Sequence, residues 1–137
     1  MKFKYLKYSL KDPLNKSKLL YRPVIPLSIS HKFRSVRFEA LVDSGADFSI
    51  FPLDIAKKIN INLKNKEKIY FSGIGNIVNE GYIASVDITL EDSTIKTKVI
   101  FSNVLEDSGV LGQSGFFDKF IIKFDLAEKV IELAPKK

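Results

Sequence analysis

The chain contains no cysteine and a single histidine, His31, among its 137 residues. Without cysteine there is no disulfide framework, no thiol nucleophile and no thiolate metal site, and a reducing compartment, the cytoplasm, is the expectation. One imidazole excludes any site built on two and leaves one conceivable Ser/His pairing. No run approaches the roughly 20 apolar residues needed to span a bilayer, so a membrane partner is not expected. The opening segment MKFKYLKYSLKD breaks its apolar residues with lysines too often to form a secretory h-region. No low-complexity tract and no repeat longer than a tripeptide is present.

Hydrophobic residues make up 45% and charged residues 28%, which is the composition of a packed core rather than of a disordered chain, and the length suits one domain. The net charge of +6 is uneven: residues 1–39 carry ten Lys/Arg against two acidic residues, and the rest carries twelve against fourteen. A basic arm on a near-neutral body suits a nucleic acid or an acidic surface. This arm lacks the arginine-rich, aromatic-interleaved pattern of a nucleic-acid surface, and lysines that keep an edge strand from aggregating explain it as well. Residues 1–21 are therefore taken as a basic N-terminal arm and 22–137 as the domain, with no nucleic-acid partner expected.

Short strands dominate the pattern. Val24 to Ile29 is apolar and β-branched, Ser35 to Val42 alternates through Val36, Phe38 and Ala40, and Ser30-His31-Lys32 between them reads as a hairpin turn. Pro52 with Ile55, Ala56 and Ile59 at helical spacing marks a short helix ending near Asn60. Lys68 to Phe71, Tyr82 to Leu90 and Thr94 to Ser102 read as strands, and Phe120 to Leu133 as a closing hairpin. The fold class is all-β with one or two short helices, a closed barrel or folded sheet.

Chemistry concentrates in Ala40 to Pro52, ALVDSGADFSIFP. An apolar strand runs into Asp43, and a carboxylate at the end of a buried strand is either hydrogen-bonded or functional, because burying an unpaired charge is costly. Gly45 permits a sharp turn and close backbone approach, and Ser44 supplies a short hydroxyl. An Asx-turn closing a strand is the alternative reading of the tripeptide.

The segment resembles the active-site loop of the retropepsin-like aspartic proteases: two apolar residues, Leu41-Val42, then Asp43-Ser44-Gly45-Ala46, with Ser49-Ile50 behind. Three more elements follow in that family's order. Phe71-Ser72-Gly73-Ile74-Gly75-Asn76 resembles the glycine-rich flap tip, Val110-Leu111-Gly112 the apolar-apolar-Gly signature beside the catalytic loop, and Gly115-Phe116-Phe117-Asp118 with its hairpin the C-terminal part of cellular members. Ser44 stands where viral members commonly have Thr, and Asn76 and Ile77 depart from the usual glycine and aromatic.

The resemblance implies a retropepsin-like acid-protease fold, one lobe per chain, and a cofactor-free aspartic endopeptidase acting on peptide or protein substrates. Such an enzyme needs two carboxylates about 3 Å apart sharing one proton. One motif in 137 residues then requires a homodimer with its two-fold axis through the site. Asp43 is the implied catalytic residue. Ser44 would tie the two loops across the axis, and Gly45 with Ala46 would form the loop that meets substrate. Gly73, Ile74 and Gly75 would form the flap, Asp47 would contact substrate backbone or serve as a plain loop residue, and Leu111 and Gly112 would support the site from beneath. Strands near the C-terminus, Lys129 to Leu133 among them, are the candidates for the interface sheet.

Asp107-Ser108-Gly109 repeats the tripeptide, but Asp107 follows Glu106 rather than an apolar strand, and the chain is about half the length a two-motif enzyme requires. His31 lacks a nucleophile-elbow partner, and no His/Cys cluster suggests a metal. Two other functions compete with the protease: a retropepsin-like binding or dimerisation module with weak catalysis, and a nucleic-acid-associated protein working through the basic arm.

Overall fold

In β4 (Val24–His31) and β5 (Arg34–Val42) every second residue turns inward, Ile25, Leu27 and Ile29 facing Val36, Phe38, Ala40 and Val42. That period of two is what a half-buried antiparallel pair requires. The computed structural model describes residues 1–11, 13–14 and 16–136. The β4–β5 hairpin turns later than the sequence suggests: His31 is the last residue of β4, paired with Arg34, and Lys32 adopts a left-handed φ of 54° in a two-residue loop.

Downstream come β6 (Ile50–Pro52), helix α1 (Leu53–Lys58), β7 (Glu67–Ser72), β8 (Val78–Leu90), β9 (Ser93–Ser102) and β10 (Gly109–Leu111). With β4 and β5 they form one sheet in the order β4-β5-β10-β6-β9-β8-β7. A further pairing of β4 with β8, Ser28 to Thr89 through Ser30 to Asp87, joins six of these strands into a ring and leaves β7 outside on β8. Phe51, Ile88, Leu90, Phe101 and Leu111 fill the core, fully buried.

Helix α1 is stopped by Asn60, which takes φ 62° while its N–H bonds to Lys57 and that of Ile61 to Ala56. This is a left-handed cap in which Asn does the work of glycine, and the buried Ile61 seals it. α1 lays Ile55 and Ala56 on the core.

A second sheet has the order β1-β12-β11, from β1 (Lys2–Lys4), β12 (Val130–Pro135) and β11 (Phe120–Asp125). The first residues thus dock on the last: Met1 and Leu133 exchange backbone bonds of 2.8 Å in both directions. Over residues 130–133, β12 has its own chain on both sides, so a sheet continued into a second copy uses the outer edge of β1 or β11. Between β1 and β4 stands a separate hairpin of β2 (Leu6–Lys11) and β3 (Ser17–Arg22), which pair only with each other. The fold is mostly strand with one short α-helix, as the sequence indicates.

Candidate active site

β10 is three residues long and positions the site. It lies parallel to the end of β5, Val110 beside Leu41, and antiparallel to β6, Val110 beside Ile50. The segment 43–49 between β5 and β6 therefore loops around the chain that emerges from β10. Asp43 N–H donates to the Leu111 carbonyl at 2.9 Å, Gln113 N–H to Ala46 at 2.8 Å, and Ser114 N–H to Asp47 at 2.9 Å. The Gln113 side-chain amide donates to the Ser44 carbonyl at 2.7 Å. Almost every turn of the loop is tied to residues 111–114.

Gly112 permits that approach. A Cβ there would stand 2.7 Å from the Ala46 carbonyl oxygen and closer still to that of Phe48, and backbone atoms cannot swing away. Ser49, a buried hydroxyl in the apolar run Phe48–Phe51, completes the anchoring: it accepts from Gly112 N–H and donates to the Ser114 carbonyl, both at 3.0 Å. The sequence carries a signal for this role, because a serine inside an apolar strand is hydrogen-bonded when buried. Reading the segment for chemistry alone overlooks it.

The Asp43 carboxylate, half-buried, accepts the Gly45 N–H at 2.9 Å through Oδ1, and the Ala46 N–H bonds back to the Asp43 carbonyl at 3.2 Å. The Asx-turn reading of this tripeptide is present: the turn closes the strand and fixes the carboxylate at the edge of a cleft. The cleft has a volume of about 550 Å³. Asp43, Gly45, Ala46 and Asp47 line one side, and Phe71, Ser72 and Gly73 from the β7–β8 hairpin line another. Phe48, Ile50, Val104, Leu105 and Val110 make its surface largely apolar, and of these Phe48, Val104 and Leu105 carry no motif that marks them in the sequence. The Phe48 and Phe71 rings meet edge-on, with centroids 6.5 Å apart, and link the loop to the hairpin.

The β7–β8 hairpin continues from the Ser72–Val78 pair through a 3.0 Å bond from Gly73 N–H to the Ile77 carbonyl into a single 3-10 turn, Ile74–Asn76. Gly75 has φ 81° and Asn76 φ 61°, so the asparagine occupies a left-handed position that it tolerates better than most residues. The Ile74 side chain lies outside the described part of the structure, and Gly75 is beyond the cleft lining. Ser44 is exposed and outside the cleft lining, whereas Leu111 and Gly112 are buried beneath the loop.

Asp107 sits in an exposed bend away from this cleft, beside a different hollow shared with Pro26 and Arg37. His31 is also elsewhere: it borders a hollow with Lys32, Lys66 and Lys96, and its Nδ1 is buried with no hydrogen-bond partner. Among the described residues no group of three or more His, Asp or Glu is arranged to hold a metal.

Residues 19–114 match the family model described as retroviral aspartyl protease. This chain belongs to that family. A comparison with curated protein sequences returned no match. Among solved structures, a retropepsin-like aspartic protease from Rickettsia conorii aligns over 96% of this chain and 95% of its own, at 14% identity and TM-score 0.58. The retroviral protease-like domain of Ddi1 from Leishmania major aligns over 82% and 87%, at 16% identity and TM-score 0.59. EIAV protease, solved with the inhibitor HBY-793, aligns over 76% and 88%, at 20% identity and TM-score 0.53. These likenesses place the fold among the retropepsins, with β5, the 43–49 loop, the β7–β8 hairpin and β10 all inside the segment that matches the retroviral aspartyl protease model.

Proposed function

We propose that this chain is an aspartic endopeptidase whose active site is completed by a second copy of itself. The observation that carries the reading is Asp43: its backbone is pinned to Leu111, its carboxylate is held by Gly45 N–H, and it borders a peptide-sized apolar cleft. A single carboxylate cannot be general acid and general base at once. Two of them about 3 Å apart share one proton, so one takes a proton from water while the other donates to the scissile carbonyl oxygen. The water oxygen bonds to the carbonyl carbon. The carboxyl that took the water proton then gives it to the leaving nitrogen, while the other regains a proton from the diol oxygen. The C–N bond breaks, the amine leaves and the shared proton is restored. No cofactor enters this scheme.

In the dimer the exposed Ser44 hydroxyl reaches the opposing loop. Gly45 and Ala46 face the substrate backbone, with Asp47 a further contact. The β7–β8 hairpin acts as a flap, Gly73 and Gly75 lending its tip freedom and Ile74 closing over the peptide. Residues 22–137 together with β1, which completes their second sheet, are the catalytic unit, and the β2–β3 hairpin is appended to it. The absence of cysteine suits the cytoplasm.

Peptidase activity against a peptide library, measured across a dilution series alongside sedimentation, tests the reading. Specific activity is expected to fall over the same concentration range in which dimer gives way to monomer, and an active monomer would overturn it. Because only the singly protonated pair is competent, the rate should also fall on both sides of a single pH maximum. A chelator should leave the rate unchanged.

A further inference from the structure

We propose that the β2–β3 hairpin is an arm that crosses to the partner subunit and lays its leucine-bearing face against it. The proposal rests on the homodimer reading above and goes beyond it, because the paired carboxylates do not themselves require an arm.

The hairpin is incompletely partnered in the single chain. Among the described residues its two strands pair only with each other, and every residue in them is exposed except Tyr8. A lone two-stranded hairpin is marginal in water and holds its shape when one face is covered. The register shows which face that is. Leu6 lies opposite Arg22, Tyr8 opposite Leu20 and Leu10 opposite Lys18, so these six side chains share one side. The Arg22 guanidinium, 5.7 Å from the centre of the Tyr8 ring, reflects the same grouping. Leu6, Leu10 and Leu20 are 37%, 52% and 41% exposed on that side. The opposite side carries Leu19, 55% exposed, and Tyr21, whose ring receives the Lys129 ammonium at 4.8 Å. With three leucines and Tyr8, the first side is the more apolar of the two.

The occupant follows from where the arm starts. Pro23, immediately after β3, accepts a 2.9 Å bond from Val42 N–H, one residue before Asp43. If the partner subunit's Asp43 approaches within about 3 Å, the two-fold axis passes beside this point. Strands of six residues then project roughly 20 Å from beside the axis. An arm rooted there meets the second subunit. The charge agrees: basic residues crowd the first 39 positions, and the remainder of the chain is slightly acidic.

The test combines Leu10→Asp and Leu20→Asp in the full chain. Both positions are exposed, so the circular dichroism spectrum should be that of wild type, and the dimer dissociation constant by sedimentation should rise roughly tenfold or more. A wild-type dimer whose dissociation constant is unmoved by the double substitution overturns the arm alone. A wild type that is monomeric at every concentration overturns the paired-carboxylate reading and the arm with it. The cysteine-free sequence supplies a second measurement that needs no destabilised variant. Leu10→Cys carrying a benzophenone-maleimide should cross-link on irradiation to a second copy, giving a covalent dimer, and cross-links confined within one subunit would overturn the arm.

Discussion

Two Asp-Ser-Gly tripeptides occupy this chain, and the fold treats them in opposite ways. At 43–45 the aspartate ends a buried strand, and a second strand passes beside it and bonds its backbone. At 107–109 the aspartate is exposed in a bend, and the glycine is the buried residue, opening β10 and packed against Phe51. What separates them is the run before the aspartate: Phe38, Ala40 and Val42 drive the first into the sheet, whereas Val104-Leu105-Glu106 lets the second turn in solvent. The same three letters border a cleft in one context and open a strand in the other.

The largest contrast is in activity. Asp43→Asn preserves shape and the Gly45 contact but cannot share the proton, so peptide hydrolysis should drop by at least about a thousandfold with the fold and dimer intact. Asp107→Asn should stay within about twofold of wild type, as exposed substitutions away from a site generally do. Assays of the two variants with one peptide break the comparison if Asp107→Asn is the inactive one.

The glycines should reverse the ranking. A methyl at Gly109 would stand 2.7 Å from the Phe51 ring, so Gly109→Ala should lower unfolding stability by about 1–3 kcal/mol while the folded fraction keeps the proposed peptidase activity. A methyl at Gly45 meets only Asp43 Oδ1, at 3.3 Å, and enters the cleft. Gly45→Ala should therefore hold stability and lose activity. Denaturant melts paired with kinetics separate the two effects.

The strands around both tripeptides were legible because alternation is local: Val36, Phe38 and Ala40 announce their face without reference to anything distant. The Asp43 turn was legible because an apolar strand, a carboxylate and small residues adjoin in sequence. What was not legible depends on residues far apart in the chain. Lys2–Lys4 has no pattern that announces a strand, and it becomes one because β12 offers an edge; the Lys129 to Leu133 strand is for the same reason flanked by its own chain. The roles of Ser49 and Gln113 arise only once β10 has inserted between β5 and β6. The two-residue extension of β4 through Ser30 and His31 reflects their pairing with Ser35 and Arg34 overriding a polar, turn-like tripeptide.

The buried serine beside the first tripeptide sharpens the contrast further. Ser49→Ala leaves Gly112 N–H without its acceptor and removes a donor from the Ser114 carbonyl, both inside the loop's anchor. The cost should be about 1–3 kcal/mol in stability, with activity falling in parallel as the loop loosens. Ser108→Ala, in the exposed bend, should change neither by a measurable amount.

The smallest expected effect belongs to Ser44. Its backbone carbonyl is already held by the Gln113 side chain, so the loop keeps its path when the hydroxyl is removed, and Ser44→Ala should melt with wild type. What it loses, on the proposed dimer reading, is the bond to the opposing loop. The loss should therefore appear as a severalfold fall in specific activity at low protein concentration and largely disappear at high concentration, where mass action restores the dimer. Ser44→Thr keeps the hydroxyl and should behave as wild type in both regimes. An Ala variant impaired equally at every concentration would move Ser44 from joining the subunits to acting within one site, and would bring the two serines of the repeated tripeptide closer in role than their surroundings indicate.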